Sequence, residues 1–272
     1  MIFTTIAQAK KDTGLSYLGN INSSAKIIKN KKVSNNYTYI IYLASSNTSG
    51  YNVCSHSTPE CRKGCLGTSG RVKMETEGKR KITNCRIKKT KLFYEHRNFF
   101  MDWMLAEIAM YKKKAKKDGY DFSARLNGTS DIDWQNVRFM NGCNIFDLFD
   151  NDMVWYDYTK DYNRFTNKPE NYHLTYSYTG KNWNNCKQLL DKGYNVAVVF
   201  DTKKGKDLPK TFKDYPVIDS DITDFRPNDP NGVICGLRFK RIVNKENEKE
   251  ILNSCFVVKE TDKDCIMKDA FV

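Results

Sequence analysis

Apolar residues along this chain fall into short β-branched and aromatic runs separated by polar turns. Residues 37–44, Tyr-Thr-Tyr-Ile-Ile-Tyr-Leu-Ala, predict a first strand. Comparable runs at 122–127, 153–159, 172–178, 195–201, 216–219 and 233–239 predict further strands. After the first run, Leu92, Phe99, Phe100, Trp103, Met104, Ile108 and Tyr111 recur at three- and four-residue intervals. That spacing predicts one long helix over about 83–117, closed by Gly119. A shorter helix over 183–192 ends at Gly193. Short strands alternating with crossovers suit a mostly parallel sheet. The expected fold is α/β, a single domain forming a partial or irregular (β/α) barrel, with some crossovers too short for full helices. Residues 1–33, rich in lysine and asparagine, read as a basic N-terminal extension, and 34–272 as the barrel-like domain.

With 272 residues the chain can bury a substantial core, and a formal net charge of +13 favours anionic partners such as nucleotides or nucleic acid. Against that, lysine heavily outnumbers arginine, and lysine- and asparagine-rich usage often reflects an AT-rich genome rather than a binding surface. No apolar run reaches the roughly 18 residues a membrane helix needs. The start also lacks the basic-then-hydrophobic order of a secretory signal, so an intracellular, cytoplasmic protein with reduced cysteines is expected.

Nine cysteines, an odd count, argue against a complete disulfide framework. Six are scattered singly and read as small buried hydrophobes. The other three, Cys54, Cys61 and Cys65, share the loop that follows the first strand. Three thiolates meeting there form a soft ligand set for an iron–sulfur cluster or zinc, with one metal position left open. No paired C-x-x-C knuckles accompany them, which weakens zinc. His56, within the loop, is a candidate fourth ligand; His96 falls on the apolar stripe of the long helix and reads as a hydrogen-bonded core residue.

The strand ends are unusually polar. Arg125, Asn127, Ser130 and Asp131 follow one strand, and Tyr156, Asp157 and Lys160 lie on or after another. His173, Thr175 and Ser177 alternate on a third. Parallel strands covered on both faces are normally almost all apolar, so the set implies a polar cavity at the carboxyl ends. Any one of these residues could instead sit on a solvent-facing edge. Asp131, Asp157, Asp201, Asp219 and Asp221 also lie near strand ends. They support an alternative: a nuclease or hydrolase using divalent metal.

The segment Cys54…Cys61…Cys65-Leu-Gly-Thr-Ser-Gly-Arg71, together with 125–132, 156–160, 171–177 and 219–221, resembles the bacteriophage gene product 88 family over about residues 37–245. That resemblance implies a phage-encoded protein working in the host cytoplasm. More distantly the chain resembles radical S-adenosylmethionine enzymes, which carry three cysteines after the first strand of a partial barrel. Their usual spacing is C-x3-C-x2-C, whereas this chain has C-x6-C-x3-C. The resemblance implies a [4Fe–4S] cluster on Cys54, Cys61 and Cys65, S-adenosylmethionine held by Arg125, Asn127, Ser130, Asp131, Thr175 and Ser177, and a substrate side formed by Tyr156, Asp157, Lys160 and His173. It also implies an external electron donor. A third reading, a metal-stabilised nucleic-acid-binding phage protein, accounts for the charge and cysteines without catalysis.

Overall fold

A computed structural model of the chain describes residues 5–22, 24–65, 72, 74–75, 80–139, 141–149, 153–242 and 244–267. Its helices are α1 (Ile6–Thr13), α2 (Ala25–Val33), α3 (Pro59–Lys63), α4 (Lys81–Glu95), α5 (Arg97–Asp118), α6 (Trp183–Asp191) and α7 (Lys245–Leu252). Its longer strands are β2 (Asn36–Ile41), β3 (Asp121–Arg125), β4 (Val154–Thr159), β5 (Tyr172–Ser177), β6 (Asn195–Phe200), β8 (Tyr215–Asp219) and β9 (Ile234–Arg238). Two-residue strands β1 (Gly19–Asn20), β7 (Thr211–Phe212) and β11 (Cys265–Ile266) extend the edges, while β10 (Val257–Val258) pairs parallel with the carboxyl end of interior β6.

The strands β2-β3-β4-β5-β6-β9 pair side by side, all parallel and in chain order. β8 then adds parallel to β9, so the sheet order departs from the chain order only there. Both ends of the path are free among the described residues, which makes the sheet open. It is strongly curled, however. At about 4.8 Å per strand, six steps would separate β2 from β8 by about 29 Å in a flat sheet. Instead Lys26, at the start of α2, donates to the Ser220 carbonyl at 3.3 Å and pairs with Asp221 at 2.9 Å. The segment after β8 therefore crosses the concave face and fills its lower part: Phe225 meets the Tyr156 ring edge-on at 5.6 Å, and the 3-10 turn Arg226–Asn228 packs on β4 and β5.

Alternation along each strand divides the two faces. Tyr37, Tyr39 and Ile41 of β2 and Ala124 of β3 join the apolar core beneath α5, with Phe100, Trp103, Met104 and Ile108. On the concave face Asn36 and Thr38 meet Ser123 in a buried hydrogen-bonded cluster. The long helix expected over 83–117 is two helices. His96 leaves helical space at φ −135°, ψ 55°, and the Arg97 side chain, through Nε, donates to the Phe93 carbonyl at 3.0 Å. The break sets Phe93 against Phe100 and against Trp134, both at 5.3 Å between ring centroids, and leaves His96 exposed instead of in the core.

Residues 6–33 hold α1, β1 and α2, and Ala9, Leu15, Leu18 and Ile21 are buried in the main core. Glu107 of α5, buried, ties this region down: its carboxylate accepts from the Leu18 and Gly19 amides and from the Tyr39 hydroxyl at 2.7 Å. The crossovers from β3 to β4 and from β4 to β5 contain 3-10 turns and no α-helix among the described residues, in line with their short length.

Candidate functional site

The first two long strands keep pairing after their ladders end, and this builds one wall of a cleft. Gly128 donates to the Ile41 carbonyl at 3.0 Å, the Thr129 hydroxyl to Leu43 at 2.5 Å, and the Asp131 amide to Val53 at 2.8 Å. A β-carbon on Gly128 would stand 2.5 Å from the Ile41 oxygen and 2.8 Å from the Tyr42 ring, so only glycine fits this approach. Asn127 holds the same loop from within. Its Oδ1 accepts from Ser130 Oγ, the Ile132 amide and Trp134 Nε1, and its Nδ2 donates to the Ile132 carbonyl.

Beneath it runs a buried relay of polar groups. Asp157 accepts from the Asn127 amide at 2.7 Å and from the Tyr172 hydroxyl at 2.8 Å. Arg164 donates to Tyr172 Oη at 2.6 Å and pairs with Asp131 at 2.8 Å. Asp131 also accepts from the Lys160 amide at 2.8 Å. Burial pushes the Asp157 carboxyl up to about 6 against the pull of Arg125 and Arg164.

The cleft, of about 260 Å³, opens at the carboxyl ends of the parallel strands. Cys54, Cys61 and Cys65 all line it, together with Arg125, Asn127, Ser130, Asp131, Lys160 and Ser177. None of the nine cysteines forms a disulfide. Cys54 hangs from the extended loop, with its amide held by Asn52 Oδ1 at 3.0 Å. Cys61 lies in the single turn of α3, whose start is capped by Thr58 and Pro59. Burial, then the negative neighbours Cys65, Asp131 and Cys61, push the Cys54 thiol up to about 11. The Lys160 ammonium is set against the Cys61 sulfur: burial lowers its pKa, but Cys61 and Asp131 outweigh that and hold it above the ordinary lysine value. The thiols do not converge on one point. Among the described residues, no three His, Cys, Asp or Glu side chains are close enough to hold a single metal ion.

Other predicted site residues are placed differently. Asn127 lines the cleft, yet its side-chain amide is committed to its own loop. Tyr156 shares the concave face of β4, but it lies below the cleft, bonded to Asn30 and Thr38 and covered by Phe225. Asp157 faces the opposite side of β4, in the buried relay. His173, Thr175 and Ser177 share one strand face, and only Ser177 reaches the cleft; Thr175 is buried beneath it and His173 is exposed at the far end of β5. His56 is exposed, beside Ser55 and 3.9 Å from Asp161, and does not line the cleft.

The carboxylates of the hydrolase reading are not grouped. Asp131 is engaged by Arg164, Asp219 and Asp221 by Arg238, and Asp221 also by Lys26, while Asp201 is exposed. Of the six single cysteines only Cys186 and Cys235 are buried; Cys85 and Cys255 are exposed, correcting the expectation that all six fill the core. The motif residues 66–71 lie outside the described residues.

Sequence reasoning missed several lining residues: Lys26, Tyr158, Tyr178, Arg238, Phe239, Lys240 and Phe256. The Arg-Phe-Lys triplet at 238–240, a charged ending to an apolar strand, carried a readable signal for three of them.

The family model for gene product 88 matches residues 13–256. The chain belongs to the gene product 88 family, a phage gene product family. Every residue lining the cleft, from Lys26 to Phe256, falls within the match, so the cleft is built wholly from the part of the chain that defines the gene product 88 family. No curated protein and no solved structure gives a significant match. Among the described residues, no helix is long and apolar enough to cross a membrane.

Proposed function

We propose that this gene product 88 protein is an iron–sulfur enzyme of the radical S-adenosylmethionine type, working in the host cytoplasm on an anionic substrate. The observation that carries the reading is that three cysteines line one cleft at the carboxyl ends of the parallel strands, with Lys160 against Cys61. The curl of the sheet suits the partial barrel this chemistry uses.

Cys54, Cys61 and Cys65 would hold three irons, leaving the fourth for S-adenosylmethionine. When bound, the cluster supplies an electron to the sulfonium, drawn from an external donor. The protein's own residues orient and shield. Lys160 offsets the negative charge gathered by three thiolates, Asp131 and Arg164 fix the backbone at Lys160, and Ser130, Ser177 and the Asn127 loop shape the polar wall. The apolar residues Val199, Leu237 and Phe256 exclude water.

Anaerobic purification tests the proposal. A brown protein with absorption near 400 nm and about four irons per chain is expected, lost in Cys61→Ala. Reductant and S-adenosylmethionine should then yield deoxyadenosine. A colourless protein that takes up no iron on anaerobic reconstitution would overturn the reading.

A further inference from the structure

The cleft has two chemically distinct ends. At one, the charged neighbours of Lys160 are Cys61, Asp131 and Cys54. At the other, those of Lys240 are Lys26, Asp221, Asp224 and Arg125. The lining as a whole carries five cations, Lys26, Arg125, Lys160, Arg238 and Lys240, against three carboxylates, Asp131, Asp221 and Asp224. Asp224 is taken by Arg125 at 2.6 Å, and Asp221 by Lys26 at 2.9 Å and Arg238 at 3.4 Å. Lys240 has no carboxylate ion-pair partner among the described residues and shares its end of the cleft with a second lysine. Arg125, buried under the Tyr158 ring at 4.8 Å, also keeps its Nε–H without an acceptor. Tyr178, Val199, Leu237, Phe239 and Phe256 supply the apolar part of the lining.

A volume of about 260 Å³ lies just below the roughly 300–1,000 Å³ of ordinary ligand pockets, and it suits small molecules rather than a polymer strand. We infer that the cleft binds a single small organic phosphate with a flat apolar body, its phosphate at Lys26 and Lys240 and its body on the Phe239–Phe256 side, leaving the reacting end toward the cysteines. This deepens the proposed function by naming its substrate class. The anion end is built from residues other than the cysteines, so phosphate binding does not require the cluster.

Calorimetry on iron-free protein and on its Cys54→Ser/Cys61→Ser/Cys65→Ser variant, using the four common nucleoside 5′-monophosphates as probes, tests the inference. At least one nucleotide should bind both proteins alike. The parent nucleoside and inorganic phosphate should each bind at least tenfold more weakly. Lys240→Ala, at an exposed position whose loss leaves the core intact, should weaken the nucleotide at least tenfold, and Phe239→Ala should do the same. The inference is overturned if no mononucleotide binds, if inorganic phosphate binds as tightly, if Lys240→Ala changes nothing, or if a single-stranded oligonucleotide binds while mononucleotides do not. Iron uptake is measured separately, so loss of the cluster proposal and loss of this one give different results.

Discussion

Replacing Asn127 by alanine is expected to unfold the loop wall of the cleft at a cost that can be worked out bond by bond. The Asn127 side chain satisfies the Ile132 amide at 3.0 Å, Trp134 Nε1 at 3.1 Å and the Ile132 carbonyl at 2.9 Å, besides Ser130 Oγ at 2.8 Å. Ser130 is half-buried and can turn to water, so its loss costs little. The other three groups are buried with Ile132 and Trp134. An orphaned buried donor or acceptor costs about 1–3 kcal/mol, and a water entering the space left by the amide recovers part of it. The expected loss is about 3–5 kcal/mol. Asn127→Asp keeps one acceptor oxygen but turns the other toward the Ile132 carbonyl, and should cost about as much. Equilibrium urea unfolding followed by circular dichroism reads both, with an unchanged m-value required for the comparison. The Asn127 amide still bonds Asp157 in either variant, so the difference isolates the side chain. Losses below about 1 kcal/mol in both variants would refute the claim that this amide organises the loop.

Three further outcomes follow from buried charges. Glu107→Gln should destabilise the protein by about 2–3 kcal/mol in the same assay and speed amide exchange at Leu18 and Gly19, because a carboxamide cannot accept from all three donors that Glu107 serves. Asp224→Asn should cost about 3–5 kcal/mol by leaving buried Arg125 without its countercharge. The double variant Arg125→Met/Asp224→Leu should cost at least 1.5 kcal/mol less than the sum of its singles, a coupling that a double-mutant cycle reads directly. Asp157 gives a pH signature. Its carboxyl stands at about 6 in the folded protein against 3.8 unexposed to burial, so the folded state holds the proton more tightly and this group's stabilising contribution is lost as pH rises from about 4 through 6. At about 1.4 kcal/mol per pH unit of displacement, Asp157→Asn should make stability climb more with pH over that window, by up to about 3 kcal/mol relative to the parent. Equal pH slopes in the two proteins would contradict it.

Much of the sheet was legible because β-branched and aromatic runs mark strands wherever they are long enough to be covered on both faces. That Cys54, Cys61 and Cys65 stand together was legible for a different reason: three cysteines in one loop after a strand need no knowledge of the rest of the chain, and all three line the cleft. What escaped is long-range. Nothing local indicates that β9 inserts between β6 and β8, because both positions offer a parallel edge to the same apolar run. Nor does the pattern reveal the kink at His96, since the apolar spacing continues across it; only the contacts of Phe93 with Phe100 and Trp134 require the turn.

The polar strand residues make the sharper lesson. A polar side chain on a covered strand announces that something polar faces it, yet not what. For Arg125 and Ser177 that something is the cleft, for Thr38 and Tyr156 a network filled in by residues 223–225, and for Asp157 a tyrosine–arginine relay on the other face. The division follows from depth and parity along each strand. The segment after β8 plugs the lower concave face, so a ligand meets the inward residues above the plug, Tyr158 of β4, Ser177 of β5, Ala197 and Val199 of β6 and Leu237 of β9, and those just beyond the strands. By that rule Lys160 and Lys240, each just past its strand on the cleft side, are better placed for chemistry than Tyr156 of β4 or Thr175 of β5 below them. The same depth rule accounts for exposed His173: it enters β5 at the end opposite the thiols, so no movement of its side chain brings it to the cysteines.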